Sequence, residues 1–200
     1  MKKLTFIFAA FLLLTSFRPE GVKVGEKATD FKLKNIDGKM VALNDFKSSK
    51  GVILVFTCNH CPFAKKYESR IVALDKKYKS LGYPVVAINP NDPAIEPEDS
   101  YDNMQKRAKE KGFSFPYLVD ESQAITRAYG ATKTPHVFIL QNTKDGSVVK
   151  YIGAIDDNSD DESAVKEKYV QSAVDALLSG KEVSTTSTKA VGCGIKWKKA

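Results

Sequence analysis

The residues that could do chemistry in this chain are Cys58 and Cys61, set in Thr57-Cys58-Asn59-His60-Cys61-Pro62. Two cysteines separated by two residues, where an apolar run gives way to a helical pattern, mark a site of thiol–disulfide exchange. A cysteine at a helix N-terminus sees unpaired N–H groups and the positive end of the helix dipole. Both favour the thiolate, which is the nucleophile. The spacing sets the second sulfur beside the first on the opening helical turn, so a disulfide can close and reopen there. Two blander readings compete. A CxxC is half of many zinc sites, but Cys193, His60 and His136 form no second paired knuckle. A purely structural bridge over so short a loop would contribute little through chain entropy.

The elements around this pair must hold it at the edge of a sheet. Gly51-Val-Ile-Leu-Val-Phe56 is an unbroken apolar strand suited to a central, doubly covered position. Phe63, Tyr67, Ile71, Leu74, Tyr78 and Leu81 recur at helical spacing and predict a helix that ends at Gly82. Before the strand, Val24 to Phe46 reads as a hairpin turning at Asp37-Gly38. After the helix come a strand over Tyr83–Ile88, a helix opened by Pro97-Glu98-Asp99 and stopped at Gly112, and a short extended piece at Phe115–Val119. A short helix over Ser122–Tyr129, a strand at Val137–Leu140, its hairpin partner Val148–Gly153 and a last helix capped by Gly180 complete the order. Strands alternating with helices imply an α/β fold with a mixed sheet, the site lying beyond the C-terminal ends of its parallel strands.

The chain has 200 residues, 42% hydrophobic and 28% charged, which fits one domain with a substantial core. The net charge is +7, but no basic stripe interleaved with aromatics suggests nucleic-acid binding. Met1-Lys2-Lys3 and the apolar Leu4–Leu14 predict a signal peptide over residues 1–17; an uncleaved anchor is the competing reading. The domain is then expected over 22–180, exported to the periplasm or outside the cell. Residues 181–200 read as a low-complexity linker and a basic tail that carries Cys193. Three cysteines in an exported chain are an odd number, one pair and one left over. An exported CxxC needs either an oxidising role or electrons from a membrane partner.

Beyond the CxxC, further blocks are Ile88-Asn-Pro-Asn-Asp92, Pro97-Glu-Asp-Ser100, Phe115-Pro-Tyr-Leu118, Tyr129-Gly-Ala131, Thr134-Pro-His-Val-Phe138, Gly153-Ala-Ile-Asp-Asp157 and Gly192-Cys-Gly-Ile-Lys-Trp197. With Phe56-Thr-Cys-Asn-His-Cys-Pro-Phe63 they make the chain resemble the redoxin (AhpC/TSA-type) branch of the thioredoxin-like superfamily, in particular its exported oxidoreductase-like group with a CNHCP motif. The resemblance implies a thioredoxin-like fold with an N-terminal β-hairpin and no cofactor. It implies that Cys58 is an exposed attacking cysteine and Cys61 a buried resolving one. It also implies that Thr134-Pro135 carries a cis peptide bond facing the disulfide, where the backbone pairs with an extended substrate segment.

The expected chemistry is a mixed-disulfide relay with protein thiols and disulfides. Cys58 attacks, Cys61 resolves, and His60 tunes the thiolate so that the pair gains oxidising power. Expected partners are protein thiols or disulfides and an electron donor or acceptor, with a membrane-bound one in view; the chain itself is expected to be a monomer. Two features depart from many thioredoxins: Val52–Thr57 holds no acid to accept the relay proton, and no tryptophan precedes the motif. A peroxidase (antioxidant) role is the first alternative, but the Pro-x-x-x-Thr/Ser-x-x-Cys pattern is absent upstream of both cysteines. A copper-binding module built from Cys58, Cys61 and His136 is the second. Cys193 could be an additional redox thiol, a partner link or a dimer link, or an idle tail thiol. The acidic run Asp156–Glu162 lacks calcium-loop spacing and is expected to cap and charge-complement the last helix.

Overall fold

Gly51–Phe56 (β3) is buried along its whole length in the computed structural model, which describes residues 21–199. Its side chains alternate between two cores, as the two-residue period of a strand requires. Ile53 and Val55 join one hydrophobic cluster, and Val52, Leu54 and Phe56 join the other. The apolar run therefore has no polar side because neither face meets water.

The other strands of the main sheet are Lys32–Asn35 (β1), Met40–Ala42 (β2), Val85–Asn89 (β4), Tyr117–Val119 (β5), His136–Thr143 (β7) and Gly146–Gly153 (β8). Among the described residues these seven form one sheet in the order β2-β1-β5-β4-β3-β7-β8. The β3–β4 and β4–β5 pairs are parallel; β1, β2, β7 and β8 pair antiparallel. The helices Pro62–Tyr78 (α1), Tyr101–Lys111 (α2) and Tyr169–Leu178 (α4) supply the first core with Tyr67, Ile71, Met104, Val170 and Val174. The short helix Ala124–Tyr129 (α3) and the flanks of the hairpin supply the second with Tyr129, Phe31 and Leu43. This is a mixed α/β, thioredoxin-like fold.

Most elements fall where the periodicity places them. Two differ. Leu81 is exposed, because α1 ends at Tyr78 and the last turn tightens into a 3-10 helix closed by Gly82 at φ 98°, which rotates Leu81 off the buried face. The last helix begins at Tyr169, so the acidic run is too far upstream to complement its dipole. Asp156 is instead buried and accepts from Arg70 on α1 at 2.7 and 2.9 Å and from Tyr67 at 2.8 Å. Asp161 caps a separate 3-10 turn by accepting from Ser163 N.

The C-terminal segment also departs from expectation. Residues 181–199, read as linker and tail, are laid over the domain. Val183 enters the first core and Ile195 the second. Ile152 N donates to Thr186 O, and Thr188 N donates back to Ile152 O, extending the β8 edge. Low side-chain complexity hides this, because these contacts are made by the backbone. Cys193–Gly194 (β9) pairs antiparallel with the two-residue strand Lys133–Thr134 (β6) in a small second sheet. The targeting segment at residues 1–17 lies outside the described residues. Among the described residues no helix is long and apolar enough to cross a membrane.

Candidate active site

The site forms where β3 ends. Thr57 N still donates to Ile88 O, continuing the parallel ladder one step beyond Phe56. The chain then leaves the sheet through Cys58-Asn59-His60. Cys61 is the N-cap of α1, with Pro62 at the first helical position and Lys65 N donating to Cys61 O at 2.9 Å. The turn is held by Asp99. Its Oδ1 accepts from Asn59 N at 2.6 Å and His60 N at 3.3 Å, and its Oδ2 accepts from Asn91 Nδ2 at 2.7 Å. Asn59 also donates to Glu98 O and accepts from the Tyr117 hydroxyl.

Thr134 meets both sulfurs of the motif. Cys58 Sγ lies 3.1 Å from Thr134 Oγ1, and Cys61 Sγ lies 3.2 Å from the Thr134 carbonyl oxygen. The Thr134–Pro135 peptide is cis. Cys61 is bonded to Cys193 on β9, across a Cα–Cα separation of 5.9 Å, and Cys58 is a free thiol. The oxidised pair expected from the CxxC, Cys58–Cys61, is thus not the one present; Cys61–Cys193 is. Cys58, Cys61 and Ala64 form one buried cluster, with Phe63 and Cys193 packed against it.

Cys58 is also not exposed: only 3% of its surface meets solvent. Burial, with the Asp99 charge beside it, pushes its thiol up to about 12; the Thr134 hydrogen bond opposes this. The direction is opposite to the one expected from the helix dipole alone. Cys58 sits ahead of the N-cap Cys61, and the Cys61 and His60 N–H groups lower its thiol by less than burial and the Asp99 charge raise it. His60 lies near Cys58, with Nδ1 3.5 Å from Sγ, but the same nitrogen makes a 2.6 Å bond to Asp99 Oδ2. The imidazole is therefore committed first to the carboxylate.

The copper alternative is not assembled. His136 Nδ1 accepts from Thr132 N at 3.4 Å, its ring packs on Phe138, and Cys61 is already in a disulfide. Burial lowers His136 to about 4. The ligand-bearing groups that converge are Cys58, His60 and Asp99, within 4.8 Å of one another. Their closest contact has the length of a hydrogen bond. Sequence reasoning missed Asp99, which lies forty residues from Asn59. It also missed β9. The block Pro97-Glu98-Asp99 carried a helix-start signal, and nothing in its spacing pointed at Cys58.

Residues 24–151 match the AhpC/TSA family, most of the described residues. The chain belongs to that family. The match contains Cys58, Cys61 and Thr134-Pro135; Cys193 lies outside it. The chain is 30% identical to the thiol-disulfide oxidoreductase ResA of Geobacillus thermodenitrificans, over 66% of this chain and 70% of that protein. Among solved structures, an uncharacterized conserved protein from Geobacillus kaustophilus is 39% identical at a TM-score of 0.83, covering 89% of this chain and 94% of that one. A thiol:disulfide interchange protein DsbE from Chlorobium tepidum is 26% identical at a TM-score of 0.54, covering 64% of this chain and 84% of the other.

Proposed function

We propose that the chain is an exported thiol–disulfide oxidoreductase that exchanges disulfides with protein partners, Cys58 attacking and Cys61 resolving. The observation that carries this reading is the pair of motif sulfurs held on the two polar groups of Thr134, at 3.1 and 3.2 Å, beyond the C-terminal end of β3. In the reduced protein, Cys58 loses its proton and attacks one sulfur of a partner disulfide, and the other partner sulfur leaves as a thiol. Cys61 then attacks Cys58 in the mixed disulfide and releases the second partner thiol, leaving Cys58–Cys61 oxidised. The ResA and DsbE relatives support the chemistry. The positive n-region and apolar segment over residues 1–17 support export.

The direction of electron flow is read from the potential of the pair: a value near ~−270 mV marks a reductase and one near ~−120 mV an oxidant. Reduction of insulin disulfides tests the activity. Cys58→Ser should abolish turnover, and Cys61→Ser should accumulate a mixed disulfide on Cys58. Full turnover by Cys58→Ser would sink the reading. A fusion of residues 1–30 to a reporter active only outside the cytoplasm tests export.

A further inference from the structure

The strand β6 has one pairing partner among the described residues, and that partner is the chain's own tail. Take β9 away and Lys133–Thr134 is an unpaired edge beside both motif sulfurs, open to any extended segment that can complete it. The tail fills that edge in register, Thr134 opposite Cys193, and hands its sulfur to Cys61. Gly192 makes the approach possible: a Cβ there would collide with the Thr134 carbonyl oxygen. The tail is also wired to the thiol it lies beside. Lys196 N donates to Asn91 Oδ1 at 2.8 Å, Asn91 Nδ2 donates to Asp99 at 2.7 Å, and Asp99 holds the turn that carries Cys58.

We propose that Cys193 is a third exchange cysteine. The tail is the chain's own resident substrate, held on Cys61 until Cys58 displaces it, and its departure opens the β6 edge to a partner segment carrying Gly-Cys. This rests on the exchange reading above. In the step, Cys58 gives its proton to solvent and its sulfur bonds to Cys61 Sγ. The bond between Cys61 and Cys193 breaks, and Cys193 leaves as a thiolate that takes a proton. One disulfide forms as one breaks, so no outside oxidant is needed. A tethered segment acts at an effective concentration on the order of millimolar, so free partners at lower concentration enter only after this release. Residues Val191–Trp197 therefore define the partner's chemistry: an extended stretch with a cysteine and no side chain before it.

The test oxidises the full-length chain with one equivalent of glutathione disulfide, quenches in acid, alkylates free thiols and maps linkages by mass spectrometry. At pH 7 the expected product is Cys61–Cys193 with Cys58 alkylated. Released Cys193 is a solvated thiol that ionises near ~8.5, well below buried Cys58, so alkaline pH pulls the exchange forward. The ratio of Cys58–Cys61 to Cys61–Cys193 should rise roughly tenfold from pH 7 to about pH 9.5. Amide protection at 191–197, taken relative to the base-catalysed intrinsic rate at each pH, should fall with it. Cys58→Ser should hold Cys61–Cys193 at every pH. Gly192→Val, checked for retained fold by circular dichroism, should give Cys58–Cys61 alone. A synthetic peptide of residues 191–197, its cysteine carried as a mixed disulfide with glutathione, should transfer onto a motif thiol of reduced Cys193→Ser with glutathione leaving as the thiol, and should not react with the tail-closed Cys58→Ser chain, whose Cys61 is already in a disulfide. Cys193 alkylated at every pH, or a ratio that does not move, overturns the proposal. Insulin turnover by the wild-type chain separates the two readings, since it persists if only the tail relay is wrong and is absent if the exchange reading itself is wrong.

Discussion

At the residue scale, the site turns on an acid that stands beside a thiol without belonging to the same element. Asp99 accepts from two backbone amides and two side chains around Cys58, and its charge raises the Cys58 thiol. Asp99→Asn should therefore act in two directions. It weakens charge-assisted hydrogen bonds that hold the turn, at a cost of about 2 kcal/mol read by chemical denaturation. It also removes the repulsion that disfavours the Cys58 thiolate, so iodoacetamide labelling of Cys58 at neutral pH should speed up. A variant that loses stability with labelling unchanged would leave Asp99 a scaffold alone. His136 makes a separate statement about pH. Its folded pKa falls from 6.5 to about 4 by burial. The unfolded chain thus binds a proton that the folded chain refuses between these values, and stability falls as pH drops through that window. The loss is roughly 3 kcal/mol across it, and His136→Leu should flatten the slope seen in urea titrations from pH 7 to 4.

At the element scale, α1 is both the carrier of Cys61 and the anchor of the loop after β8. Arg70 and Asp156 are both buried and paired through a single guanidinium nitrogen, Nη1, at 2.7 and 2.9 Å. A buried pair adds little net stability, but removing one partner strands the other charge. Asp156→Ala should cost about 3–5 kcal/mol, whereas Glu162→Ala, at the exposed end of the same cluster, should cost under about 1 kcal/mol. Equal effects in thermal melts would show that Arg70 is not desolvated. The first-turn geometry also explains why the CxxC alone misjudged Cys58. Motif spacing puts the cysteines near a helix start, and the Cys61 and His60 N–H groups there do favour the Cys58 thiolate, but burial and the Asp99 charge outweigh them.

At the scale of the whole molecule, the tail is part of the fold. Val183 and Ile195 enter opposite cores, Trp197 stacks under Arg127 at 4.2 Å, and Gln123 exchanges hydrogen bonds with Lys196 O and Lys198 N. Truncation after Gly180 should destabilise the domain by several kcal/mol, since it empties a buried site in each core, each costing about 2–5 kcal/mol. A truncated chain with an unchanged melting midpoint would show that the tail rests on a finished domain.

Much of the local order was legible in the chain, Leu81 and the burial of Cys58 apart. The apolar run of β3, the Asp37-Gly38 hairpin, the helix faces and the CxxC each depend on neighbours within a few residues, and periodicity reads such signals directly. The fold class and family follow from their order. What only the tertiary structure decided are pairings between distant backbones. Cys61 reaches Cys193 across 132 residues, Asp99 reaches Asn59 across forty, and β9 meets β6 through main-chain groups that every sequence possesses. The two flanking glycines made Cys193 look like an end of flexible chain. In the fold, the same absence of a side chain at Gly192 is what lets the tail close over the site.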